Sequence, residues 1–100
     1  MATLAYQEFV GITNSNTFEL PYDTATVVLQ ITDTASGTTV DLKLQGSITL
    51  EGEMVDLIPE GADSEDLASE GVYRYDGRGL RAVRTYGDTT DLKVEAVAAS

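Results

Sequence analysis

Thr26-Val27-Val28-Leu29-Gln30-Ile31-Thr32-Asp33 places Val27, Leu29 and Ile31 on one side of an extended chain. That alternation marks a strand with one face turned to a core. Thr39-Val40-Asp41-Leu42-Lys43-Leu44-Gln45 repeats it, setting Val40, Leu42 and Leu44 against Asp41, Lys43 and Gln45. Between them lies Thr34-Ala35-Ser36-Gly37-Thr38, a turn composition. The two runs read as an antiparallel hairpin.

The same period recurs outward from this pair. In Asp91-Leu92-Lys93-Val94-Glu95-Ala96-Val97-Ala98, Leu92, Val94, Ala96 and Ala98 face in while Lys93 and Glu95 face out. Leu80 to Tyr86 and Val72 to Tyr75 are shorter runs separated by the turn Asp76-Gly77-Arg78-Gly79. Leu4 to Ile12 and Thr17 to Leu20 read as strands parted by Thr13-Asn14-Ser15-Asn16 and closed by Pro21. The one helical signal is Asp63 to Ser69, where Asp63 suits the cap of a single turn. Seven to eight short strands with turn residues between them predict an all-β fold. The expected architecture is an antiparallel two-sheet β-sandwich, jelly-roll-like, spanning residues 1–100 as one domain. Residues 1–12 read as an N-terminal arm or an edge strand.

Composition narrows the chemistry. The chain has 100 residues and neither cysteine nor histidine. Disulfides, thiolate metal sites, Cys nucleophiles and any Ser-His-Asp arrangement are excluded, and the usual general base is missing. A folded chain of this size exposes roughly 5,500 Å², enough for one core but not for a core plus a deep substrate cavity. No enzymatic activity is expected. No apolar run reaches the ~18 residues of a membrane span. Met1-Ala2-Thr3-Leu4 has no basic region of the kind that opens a secretory signal.

Seventeen acids against six bases leave a net charge of −11. Such a surface repels nucleic acid and anionic membranes, so neither is expected as a partner. Only Lys43 and Lys93 are lysines, while Asp, Thr, Ala and Val are plentiful. That pattern suits a salt-loving host, and the plainer reading is an acidic surface that maintains solubility.

Eight acids and no base fall between Glu51 and Glu70. The tightest group, Asp63, Glu65 and Asp66, is the candidate metal site, with calcium as the candidate ion and no other cofactor expected. Its spacing fits no EF-hand loop, and a solvated acidic loop explains the same residues. Arg74, Arg78, Arg81 and Arg84 form the one basic cluster, interleaved with Tyr73, Tyr75 and Tyr86. In so acidic a chain these arginines are expected to meet carboxylates, within the chain or on a neighbouring subunit. The candidate interface residues are Leu4, Tyr6 and Phe9 of the N-terminal segment, which can add a strand to a neighbouring sheet edge. Tyr73, Tyr75, Arg78 and Arg81 join them, because Tyr and Arg are enriched at binding hot spots.

The second half also has a recognisable cadence. Leu44-Gln45-Gly46-Ser47 precedes Met54-Val55-Asp56-Leu57-Ile58. Gly71-Val72-Tyr73-Arg74-Tyr75, Gly79-Leu80-Arg81-Ala82-Val83-Arg84 and Leu92-Lys93-Val94-Glu95-Ala96 follow. Over roughly residues 40–98 this resembles a small β-sandwich module of tailed-virus virion proteins, found in head decoration and fibre components. The resemblance implies a structural role on the capsid surface of a virion. It also implies the major capsid protein or other virion proteins as partners, and a homo-oligomer at a local symmetry axis. A short chain beginning at Met1 suits a free-standing decoration or auxiliary subunit. The alternative is a glycan- or calcium-binding adhesion module of a tail fibre or cell-surface protein.

Overall fold

The computed structural model describes residues 2–11 and 16–100. Eight strands run through them: β1 (Thr3–Phe9), β2 (Phe18–Glu19), β3 (Thr26–Asp33), β4 (Leu42–Ser47), β5 (Val55–Asp56), β6 (Gly71–Asp76), β7 (Ala82–Gly87) and β8 (Leu92–Ala99). They form two antiparallel sheets of four, ordered β1-β8-β3-β6 and β2-β7-β4-β5. The all-β sandwich expected from the alternating pattern is what the chain adopts. Ile12, expected to end the first strand, and Thr13, Asn14 and Ser15, expected as a turn, lie outside the described residues.

The buried positions follow the period of two. Val27, Leu29 and Ile31 of β3 meet Val94, Ala96 and Ala98 of β8 across the first sheet. Leu42 and Leu44 of β4, with Phe18 and Val83, supply the facing layer. Alternate side chains of a strand leave the sheet on opposite sides, so each layer needs only every second residue to be apolar.

The expected hairpin between residues 26–33 and 39–45 does not form. β3 pairs with β6 and β8, whereas β4 pairs with β5 and β7 in the other sheet. The alternation tells which face is buried, not which strand lies alongside. Residues 34–41 carry the chain across the sandwich instead. The Asp33 carboxylate accepts backbone N–H bonds from Ala35, Ser36 and Thr38 at 2.9–3.0 Å, led by Thr38, and is held below its ordinary pKa. Ser36 and Gly37 take positive φ within that loop. Among the described strands, the link from β4 to β5 alone joins neighbours in one sheet.

One further expectation is corrected. Asp63 to Ser69 contains no helical turn. Leu67 is extended there, exchanges both backbone hydrogen bonds with Leu42 and fills the core, which fixes the segment as a strap along the edge of β4. Of the two readings of the N-terminal segment, arm or edge strand, Thr3–Phe9 takes the second. β1 lies antiparallel along β8 from Thr3 to Phe9, with a register shift between Thr3 and Ala5.

Candidate functional site

Three connections meet at the end of the sandwich where β3 begins: residues 20–25, 48–54 and 77–81. Backbone bonds hold them together. Leu20 N–H donates to the Arg81 carbonyl at 2.7 Å, Arg81 N–H to Ser47 at 2.8 Å, and Gly77 N–H to Ala25 at 2.9 Å. Gly77 is needed at this junction, since a Cβ there would press into Thr24 and Val27.

Arg81 is the centre of this end. Its guanidinium lies 3.7 Å from the Tyr22 ring centroid, within cation–π range, and 4.0 Å from Glu19 Oε1. Its Nε is buried without a hydrogen-bond partner among the described residues. The ring beneath it is 85% exposed, as are large parts of Ile48 (74%), Val55 (59%) and Leu50 (48%). Ile48, Thr49, Leu50, Glu51 and Arg81 line a surface cavity of about 430 Å³. A second cavity of about 300 Å³ adjoins it and shares Ile48 and Thr49, with Val55 and Leu80 on its wall. Scattered exposed apolar residues mean little, but a contiguous group beside a stacked Arg and Tyr has the make-up of a protein-binding hot spot.

The predicted interface residues scatter. Phe9 and Tyr75 are each 1% exposed and belong to the core, so neither is available to a partner. The register places both on the inward face, Phe9 opposite Val94 and Tyr75 opposite Val27. The Tyr75 hydroxyl finds no hydrogen-bond partner among the described residues, and burial pushes its pKa up. Tyr73 is half-buried and donates to the Ser69 carbonyl at 2.6 Å. Leu4 sits half-buried at the register shift of β1. Tyr6 stands on the outer face of the first sheet and donates to Glu95 Oε2 at 2.7 Å, a bond that pushes its phenol pKa up to about 12. Arg78 is exposed and forks onto its neighbour Asp76, Nε to Oδ1 at 3.0 Å and Nη2 to Oδ2 at 2.9 Å.

The acidic segment does not converge. Among the described residues no three or more Asp or Glu side chains are grouped as a metal site would need, and Asp63, Glu65 and Asp66 are not brought together. The backbone explains why. Leu67 is pinned to Leu42, and Ser64 Oγ takes the Asp66 N–H, so the neighbouring acids are spread along an extended strap. Other acids of the segment are engaged elsewhere. Glu70 accepts the Asp33 N–H at 2.9 Å. Asp56 takes Gln45 Nε2 at 2.9 Å and Lys43 Nζ at 3.0 Å, which lower its pKa in that order. Arg84 Nε extends the row by donating to Gln45 Oε1 at 3.0 Å, so side-chain bonds cross β5, β4 and β7 on their outer face.

Tyr22, Ile48, Leu50 and Val55 had no place among the candidates read from sequence. Tyr22 follows Pro21 in a turn, and Ile48-Thr49-Leu50 looks like the tail of a strand. The signal that could have found them is large apolar residues placed where the strand pattern has already ended.

These features define a small β-sandwich of two four-stranded antiparallel sheets, with a clustered apolar and Arg–Tyr surface at one end. Among solved structures, the fold is shared by the SPBc2 prophage-derived protein YomS, with a TM-score of 0.71 over 96% of this chain and 94% of that one. The two are 16% identical in sequence, so the likeness is one of fold. No protein-family model matches the chain, and no curated protein matches it significantly.

Proposed function

We propose that this chain is a non-enzymatic structural protein of a tailed-virus particle, a decoration or auxiliary subunit bound to the capsid surface. The observation that carries this reading is the nearly end-to-end likeness in fold to a prophage-derived protein. The cadence of residues 40–98 points the same way. The surface around Arg81 supplies the means of attachment. Tyr22, Ile48, Leu50 and Val55 are apolar groups left in water by folding, and burying them against the major capsid protein or another virion protein would release that cost.

The test is localisation followed by disruption. Particles purified from a host that encodes the chain are labelled with an antibody against it and viewed by electron microscopy. Labelling of heads is expected, and the double substitution Ile48→Asp, Leu50→Asp should release the chain from particles while leaving it folded. A chain found only in the particle-free fraction would overturn the reading.

A further inference from the structure

The four sheet edges are unequal. β2 and β5 offer two residues each. β6 is partly closed, because Glu60 N–H crosses to the Arg74 carbonyl at 2.7 Å. β1 is the longest of the four edges, with seven residues and no lysine, arginine or proline; its blunting devices are Glu8 and the register shift between Thr3 and Ala5, which leaves the stretch around Tyr6 open.

The register shows which β1 groups are free. Thr34 N–H donates to the Asp91 carbonyl, so Asp91, Lys93, Glu95 and Val97 turn their backbone bonds toward β3. Val94, Ala96 and Ala98 therefore turn theirs toward β1, where they face Phe9, Gln7 and Ala5. Tyr6 and Glu8 lie between those positions and direct N–H and C=O away from the sheet. Gln7 Nε2 covers the Glu8 carbonyl at 2.8 Å. Tyr6 N–H, Tyr6 C=O and Glu8 N–H have no partner among the described residues.

We propose that the open edge of β1 pairs antiparallel with β1 of a second copy, about a two-fold axis at Tyr6, to make one continuous sheet across the dimer. The strand is complementary to itself in this register. Each Tyr6 donates its N–H to the other's carbonyl. Each Glu8 meets Leu4 of the second copy, so the two carboxylates do not oppose one another. On the outer face, Tyr6 heads a cross-strand row with Val97 and Val28, and the axis joins two such rows through a pair of tyrosine rings. An isologous contact of this kind closes at two subunits. Each subunit carries a charge of −11, so pairing strengthens as salt screens their repulsion.

The proposal deepens the structural-protein reading but is tested on the purified chain alone, so its failure leaves attachment to particles untouched. Sedimentation equilibrium, from micromolar to millimolar chain and at low and high salt, should give a monomer–dimer equilibrium that tightens with salt. Tyr6→Pro removes a donor that points away from β8, so the internal ladder is kept while the outward bond is lost. Tyr6→Lys adds a charge at the same edge and keeps the assay decisive where the proline variant fails to fold. Either folded variant should dimerise at least about tenfold more weakly while its circular dichroism still shows the native β structure. A wild-type chain that stays monomeric throughout, or a Tyr6→Lys chain that dimerises as tightly as wild type, would overturn the proposal.

Discussion

Phe9 and Phe18 meet edge to face across the sandwich, ring centroids 6.5 Å apart at an interplanar angle of 67°. One ring comes from β1 and the other from β2, so the pair ties the two sheets together where the chain first passes between them. Both rings are buried. Phe9→Ala would leave a ring-sized cavity and is expected to cost about 3–5 kcal/mol, a large share of a stability near 5–15 kcal/mol. Removal of residues 1–12 should unfold the chain, because it deletes this ring together with an entire strand. Urea denaturation followed by circular dichroism measures both. A truncated chain that keeps its cooperative transition would place the ring outside the core.

Tyr75 leads to the opposite expectation. Its ring packs in the core, but its hydroxyl is buried with no hydrogen-bond partner among the described residues. Stripping water from a hydroxyl without replacing the bond costs about 1–3 kcal/mol. Tyr75→Phe keeps the ring and removes that cost, so it should raise the denaturation midpoint by about 1 kcal/mol equivalent. A clear loss of stability would mean that the hydroxyl is bonded in solution.

β3 and β8 were legible because one face is buried and the other wet, which writes a period of two into the residues. Their partners were not legible. A local pattern reports burial, and the crossing at Asp33 depends on a carboxylate collecting N–H groups from its own loop. β6 shows the limit of the pattern itself. Val72 faces out while Tyr73 and Tyr75 face in, so apolar side chains occupy both faces and alternation cannot rank them. The Arg81 end was only half legible. Arg81 stood out by charge, whereas Tyr22 and Ile48 sit in connections that follow no period.

Gly87 closes β7 at a φ of +131°, a region that other residues adopt only under strain. A Cβ there would also collide with the Asp41 carbonyl oxygen and press on Leu42. Gly87→Ala is therefore expected to cost about 1–3 kcal/mol from the backbone alone, with the collision added. Leu42 pairs with both Gly87 and Leu67, so the loss should loosen the 60–70 strap as well. Hydrogen exchange at the Leu67 amide would show it as faster opening. An unchanged exchange rate there, in a folded variant, would refute the coupling.

Asp76 makes acid stability testable. The Arg78 side chain, and then its backbone N–H, hold the Asp76 carboxyl at about 2, below the ordinary 3.8. With a folded pKa below the unfolded one, the unfolded chain binds the proton first as pH falls. The contribution is complete above the unfolded value, declines between about 3.8 and about 2, and is gone below that window. Asp76→Asn cannot titrate. The gap in melting temperature between wild type and variant should therefore be constant above the window and close through it. Comparing the two chains cancels the general relief of charge repulsion that acid brings. A gap that stays constant down to the bottom of the window would show that the Arg78 contact does not form in solution.

Salt separates simple screening from a halophilic requirement. The described surface is 5604 Å² and the net charge −11, which leaves about 500 Å² per uncompensated charge and a spacing near 20 Å, against a Debye length of about 10 Å at 0.1 M. Repulsion across that spacing is largely screened by about 0.15 M. If screening is the whole effect, the melting temperature should rise most between about 0.01 and 0.15 M sodium chloride and then level off. Matched scans in sodium chloride and sodium sulfate distinguish the remaining causes. Sulfate stabilises any compact chain by exclusion from its surface, so a continued rise in sulfate alone leaves screening as the account of the charge. A continued rise to molar sodium chloride would instead require ion binding to the carboxylates themselves.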